Sequence, residues 1–338
     1  MVRPPGTPSR CAKVSHLHAS SRIVVIAEMA LLSVLGYFAP GRGESPVAPR
    51  SAASETRHLV PRIAVPAAAT IKRGEAISGR SYAAASPAVA EISHRYETAT
   101  DKRALFDELR DSGTAESLYF AAEILDDCFD IGEHGFEAVV NAFLDKLPID
   151  SPTTTKQVES FRRLVEPCAG FDGRLSSPAE IQLLYAAGAQ RGDPRAIGHL
   201  LTSAGIDSAA VTVQTAAVLL ELSDPHVIGE VSSYLAGLFV GGMVLDGARL
   251  NPSENGPVTM AWALVACDYG ASCGATHPAV LQACARGGLC GIESLDELFR
   301  LTYVPVETYQ RGQAYRARIL AALQRKDYAS LGLDGARF

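Results

Sequence analysis

Near residue 100 the spacing of apolar positions changes character. From Asp101 onward apolar residues recur at helical intervals. Phe136, Val139, Val140, Phe143, Leu144 and Leu147 stand at i, i+3, i+4, i+7, i+8 and i+11, one stripe that ends at Pro148 and predicts the clearest helix in the chain. Leu118, Ala121, Ala122, Leu125 and Cys128 form a second stripe, and Val158, Phe161, Leu164 and Val165 a third. Val227, Ile228, Val231, Leu235, Leu238 and Phe239 make a longer fourth. No segment alternates apolar and polar residues as a half-buried strand does.

Helix starts are written beside the stripes. Ser177-Pro178-Ala179-Glu180 offers an N-cap hydroxyl, a proline at the first helical position and the glutamate of a capping box, and Ser294-Leu295-Asp296-Glu297 repeats the box without proline. Asp193-Pro194 and Asp224-Pro225 each pair an N-cap carboxylate with proline in the first turn, so helices are expected to begin at both.

The first hundred residues read differently. Ile23 to Ala39 is an apolar run of 17 residues broken only by Glu28, preceded by Arg3, Arg10, Lys13 and Arg22 and followed by Pro40-Gly41. Positive charge ahead of an apolar segment is the arrangement of an export signal. As a helix the run rises about 25 Å, slightly short of a hydrocarbon core of about 30 Å, so signal peptide and signal anchor both remain open. From residue 40 to 98 the chain is rich in Ala, Pro and Ser without sustained apolar period, a composition that buries too little surface to offset ordering, apart from a short helix near Pro87 to Tyr96. The expected organisation is a basic cytoplasmic leader at 1–22, the apolar segment at 23–39, a disordered spacer at 40–98 and a helical body at 99–335.

Charge sharpens that division. Residues up to Thr98 hold 12 Lys+Arg against 6 Asp+Glu, and those after it 19 against 31. A body that acidic is repelled by phosphate backbones, and no Lys/Arg stripe with interleaved aromatics offsets it, so no nucleic-acid partner is expected. Membrane contact is expected only through the N-terminal segment.

Apart from Cys11, which precedes the apolar run, the cysteines are even in number: Cys128, Cys168, Cys267, Cys273, Cys284 and Cys290. The last four form a C-x5-C-x10-C-x5-C segment with glycine-rich turns, which in an oxidising compartment reads as a disulfide framework. Local closure, Cys267 with Cys273 and Cys284 with Cys290, needs only a turn in each case, whereas a nested pairing staples two helices. Cys128 with Cys168 is then the remaining couple. Zinc is disfavoured because the x5 spacing and a lone His277 supply no tight knuckle, and thiol redox chemistry because no Cys-x-x-Cys is present.

Two resemblances bear on fold. Gly192-Asp193-Pro194-Arg195-Ala196, with a looser echo in Gly113-Thr114-Ala115-Glu116-Ser117 and packing residues at Tyr185, Ala186, Gly188 and Ala189, resembles degenerate tetratricopeptide-like helical repeats over Ser112 to Gly241. Val258 to Leu333, through its cysteine spacing, is similar to uncharacterised helical proteins of proteobacteria expected to be secreted or periplasmic. That resemblance implies export and a disulfide-bearing helical fold, and no activity. The fold expected is all-α, an irregular helical bundle or a short α-solenoid of antiparallel helix pairs, disulfide-braced and preceded by a disordered N-terminal region.

Chemistry is thinly marked. Asp126, Asp127, Asp130, Glu133 and His134 are the densest polar cluster, but lack the alternating ligands and turn glycine of a calcium loop and read as a solvated helix end. Glu293, Asp296 and Glu297 suit a helix first turn. His199, on the apolar side of its helix, His226 and His277 have no nucleophile motif nearby, and no phosphate-binding glycine loop occurs. No catalytic, cofactor-binding or metal-ligating residue is therefore assigned, and no cofactor is expected. Tyr303, Tyr309, Tyr315 and Tyr328 concentrate aromatics near the C-terminus; Tyr309 and Tyr315 are the candidate contact surface for a protein or peptide partner, with packing under a terminal helix as the plainer explanation. The function expected is that of an exported, periplasmic or secreted, interaction or structural protein of the bacterial envelope, with enzymatic activity left open. The rivals are an envelope hydrolase whose carboxylates converge only in three dimensions and a cytosolic helical regulator.

Overall fold

Stripes at helical spacing become fourteen α-helices among the described residues of the computed structural model, which are 87–333 apart from 148–151, 175–176, 204–208, 239–242 and 304. The leader, the apolar run at 23–39 and most of the spacer lie outside these residues. No helix among those described is long and apolar enough to cross a membrane.

The first half of the body gathers around α2 (Lys102–Ser112), α3 (Ala115–Asp127) and α7 (Pro178–Gln190). Leu105, Phe106 and Leu109 of α2 meet Tyr119, Phe120, Ile124 and Leu125 of α3, and Tyr185 of α7 closes the cluster. Phe106 and Phe120 are wholly buried, each worth about 1.5–3 kcal/mol relative to exposure. Before them α1 (Pro87–Thr98) packs on α3, with Ile92 and Tyr96 against the first core. The short helix expected inside the spacer thus packs against the first core. Tyr96 meets Phe120 of α3, ring centroids 5.6 Å apart, and Ser93 bonds His226, 133 residues away, contacts that local composition does not reveal.

After α3 come α4 (Phe129–His134), α5 (Phe136–Leu144), α6 (Thr154–Val165) and a 3-10 turn, Glu166–Phe171. The stripe on α5, the clearest in the sequence, is only partly covered: Val140 is buried, Phe143 stacks on Phe161 of α6 with ring centroids 3.9 Å apart, and Leu144 is 39 % exposed. Its neighbours in the fold are the short α4 and α6, too little surface to bury the whole face.

The second half is built from α8 (Pro194–Ser203), α9 (Ala209–Leu220), α10 (Pro225–Leu238), α11 (Asn255–Asp268) and α14 (Val306–Gln324). Val227, Ile228, Val231 and Leu235 of α10 pack with Trp262 and Val265 of α11 and Ile319 and Leu323 of α14. A smaller cluster joins Met260 and Leu264 of α11 to α12 (Pro278–Gly287) and α13 (Leu295–Thr302). One feature departs from the helical expectation: Val244–Leu245 pairs antiparallel with Ala248–Arg249 in a two-residue hairpin. Asp246 and Gly247 form its turn at φ 51° and 71°, the conformation that Asp-Gly favours between strands.

Helix starts follow the sequence closely. Ser177 Oγ accepts the Glu180 N–H at 3.1 Å, and Ser294 Oγ that of Glu297 at 3.1 Å. Asp193 Oδ1 accepts from the backbone N–H groups of Arg195 and Ala196 at 2.9 and 3.0 Å, and Asp224 Oδ1 from those of His226 and Val227 at 2.9 and 3.1 Å.

All six body cysteines are in disulfides: Cys128–Cys168, Cys267–Cys273 and Cys284–Cys290, with Cα atoms 5.2, 5.8 and 4.3 Å apart. The C-terminal pairs close locally. Of the two candidate contact residues, Tyr315 is buried and Tyr309 is partly exposed. Tyr315 is 9 % exposed in the second core with its hydroxyl donating to Glu254, and the half-buried Tyr309 donates to Asp296. The terminal helix α14 lies along α11 and α13, and that packing explains both residues.

Candidate functional site

Between the two larger cores, three helices turn polar side chains toward one another. His199 is on α8 and Glu230 on α10, 31 residues apart, each six residues after the aspartate that caps its helix. Equal offsets from equivalent caps put them at the same height on two packed helices. His199 Nδ1 lies 3.4 Å from Glu230 Oε1. Gly198 makes the approach close: a Cβ there would stand 3.0 Å from the Cβ of Glu230. From α3, Glu123 completes the group, its Oε1 3.9 Å from the same imidazole nitrogen.

Two phenols line the group. Tyr185 donates its hydroxyl to Glu123 Oε1 at 2.5 Å and stacks its ring on His199, centroids 3.4 Å apart at 17°. Tyr119 donates to Glu230 Oε1 at 3.4 Å. Burial, reinforced by the Glu123 carboxylate, raises both phenol pKa values well above their ordinary range, so both remain donors at neutral pH. Burial, then the neighbouring Glu230 carboxylate, also drives the Glu123 pKa well above that of an ordinary carboxylate, against the pull of the Tyr185 hydrogen bond. The His199 side chain is 4 % exposed, Glu230 12 % and Glu123 24 %, so the group is sheltered, least so at Glu123.

Beneath it runs a buried ion network. The Arg195 guanidinium pairs with both Asp193 and Asp224, the caps of α8 and α10, its Nη1 3.2 Å from Asp224 Oδ2. Each carboxylate accepts its helix N-terminus on Oδ1 and Arg195 on Oδ2, with Asp193 Oδ1 also accepting Arg195 Nε, which fixes the two helix starts relative to each other. The guanidinium also lies 5.8 Å from the Tyr119 ring. His226, beside this network, bonds Ser93 of α1 at 2.8 Å, and burial lowers its pKa.

No family model, curated protein or solved structure matches this chain.

What the site does must be read from its own side chains. An imidazole and two carboxylates within 4.8 Å of one another form the kind of group that holds a metal ion or moves a proton. The sequence pointed elsewhere. At the end of α3, Asp127 of the acidic stretch accepts from Tyr96 at 2.7 Å and Lys102 at 2.5 Å and so ties α1, α2 and α3 together. His277 caps α12, its Nδ1 accepting the Ala279 N–H at 3.1 Å, and burial lowers its pKa to about 4. Asp296 anchors Tyr309 and Gln313. Glu123 and Glu230 carried no sequence signal as ligands, because they stand 107 residues apart on helices that read as ordinary amphipathic elements. The equal offset of His199 and Glu230 from the two Asp-Pro starts was the one legible hint.

Proposed function

We propose that this is an exported interaction or structural protein of the bacterial envelope, in which tetratricopeptide-like helix pairs form a platform for a protein or peptide partner. The observation that carries the reading is the pairing of all six body cysteines in disulfides, bonds that persist outside the reducing cytosol. The basic residues ahead of the apolar run at 23–39 support the same compartment. Packed helical hairpins such as α2 with α3 and α7 with α8 are the building unit that a platform of this type requires.

The experiment is thiol labelling of the full chain in intact cells, with and without reductant. Six body cysteines that react only after reduction are the expected result. Six reactive thiols without reductant would overturn export and favour a cytosolic helical regulator. A second reading, an envelope hydrolase, is favoured by one observation, the convergence of Glu123 and Glu230 on His199.

A further inference from the structure

We infer that Glu123, His199 and Glu230 form a divalent transition-metal site, with Zn2+ the ion whose chemistry they fit best. This goes beyond the envelope reading and does not depend on it.

The geometry leads. Tetrahedral zinc with bonds of about 2.0–2.2 Å has ligand-to-ligand edges of about 3.3–3.5 Å. His199 Nδ1 stands 3.4 Å from Glu230 Oε1 and 3.9 Å from Glu123 Oε1, and the three ligand atoms lie within 4.8 Å of one another. Small side-chain adjustments bring all three onto one ion. The ligands come from α3, α8 and α10: the Arg195 bridge and the bare surface of Gly198 set α8 against α10, and Tyr185 of α7 holds Glu123 of α3.

The donor set selects the class of ion. Two carboxylates alone suit Mg2+ or Ca2+, but a buried imidazole as third donor favours zinc and its first-row neighbours. Three protein ligands leave a fourth position for water, on the side of Glu123, the most exposed of the three side chains. Outer contacts are present too: the Tyr185 hydroxyl orients Glu123, and Tyr185 stacks on the imidazole, as supporting residues around metal ligands do. Coordination through Nδ1 places the imidazole proton on Nε2. The electrostatics agree, because two carboxylates gathered in a sheltered place need either a shared proton or a cation between them.

The test uses the oxidised full-length protein, stripped with chelator and titrated with Zn2+ or Co2+ alone. One equivalent is expected to bind, with Co2+ giving the intense visible bands of a four- or five-coordinate N/O site. Glu230→Gln and His199→Gln are expected to weaken binding at least tenfold, and Tyr185→Phe about tenfold with the helical circular dichroism unchanged. Glu133→Gln, in the acidic stretch after α3, is expected to change nothing. No binding by the wild-type protein, a weak octahedral Co2+ spectrum, or binding lost in Glu133→Gln but retained in Glu230→Gln would each overturn the site. The wild-type Co2+ spectrum decides the matter even where a ligand variant fails to fold. Thiol labelling and metal titration fail independently of each other.

Discussion

His277 shows how a single side chain sets a pH limit on the fold. It caps α12 through a lone pair on Nδ1, which only the neutral imidazole provides, and burial lowers its pKa from 6.5 to about 4. Between those values the unfolded chain binds more protons than the folded one, so stability rises with pH there. The stabilising neutral cap is complete above about pH 6.5 and is lost as pH falls through about 4, at a cost of up to about 3 kcal/mol. Replacing His277 with Asn keeps a capping acceptor that does not titrate. Urea unfolding of wild type and His277→Asn at pH 7 and pH 4.5 is expected to show the wild type losing more stability on acidification. Equal losses would remove His277 from the account. Arg195 offers a second case at this scale. Its side chain is 3 % exposed between two aspartates, so Arg195→Ala leaves buried carboxylates unpaired and is expected to cost about 3–5 kcal/mol in urea unfolding. Arg300→Ala, at a pair with a 54 % exposed arginine, is expected to change stability by under about 1 kcal/mol.

Among elements, four helix caps were legible, while Asp101 and Asn251 cap helices that the sequence did not mark. Ser177, Ser294, Asp193 and Asp224 each accept the backbone N–H groups that their place before a helix predicts, because capping depends on residues within one turn. The α5 stripe was legible as a helix but not as a burial pattern, since periodicity states which face is apolar and not whether a neighbour covers it. The hairpin at Val244–Leu245 and Ala248–Arg249 escaped because two-residue strands show no alternation, although its Asp246-Gly247 turn was in plain view. Disulfides brace elements unequally. Cys128–Cys168 spans 40 residues and the other two span 6 each. In the chain-entropy description, removing the long link by paired Cys→Ala substitution is expected to cost about 4 kcal/mol, against about 2 kcal/mol for either short one. Denaturant midpoints of the three double variants check that order, and equal losses would point to native-state contacts instead.

Across the whole molecule, the Glu123, His199 and Glu230 group occupies a junction. Glu123 and Tyr185 stand on helices of the first core, Glu230 on a helix of the second, and His199 on α8 between them. A ligand held there links the two halves of the body, and the Arg195 bridge below it does the same without one. Disulfides in both halves support an oxidising compartment for the entire folded region, which is why thiol labelling of the intact chain bears on the whole molecule.

By itself the sequence determined the helical class, four of the places where helices start and the set of cysteines that pair. Each rests on local rules, namely apolar period, capping within a turn and short loop closure. Tertiary structure alone decided that α1 packs against the first core, that Tyr315 faces inward and that Glu123 and Glu230 meet across 107 residues at one imidazole. Those outcomes depend on which helix faces pack together, and burial, pKa and ligand geometry arise only once distant segments share the same low-dielectric space.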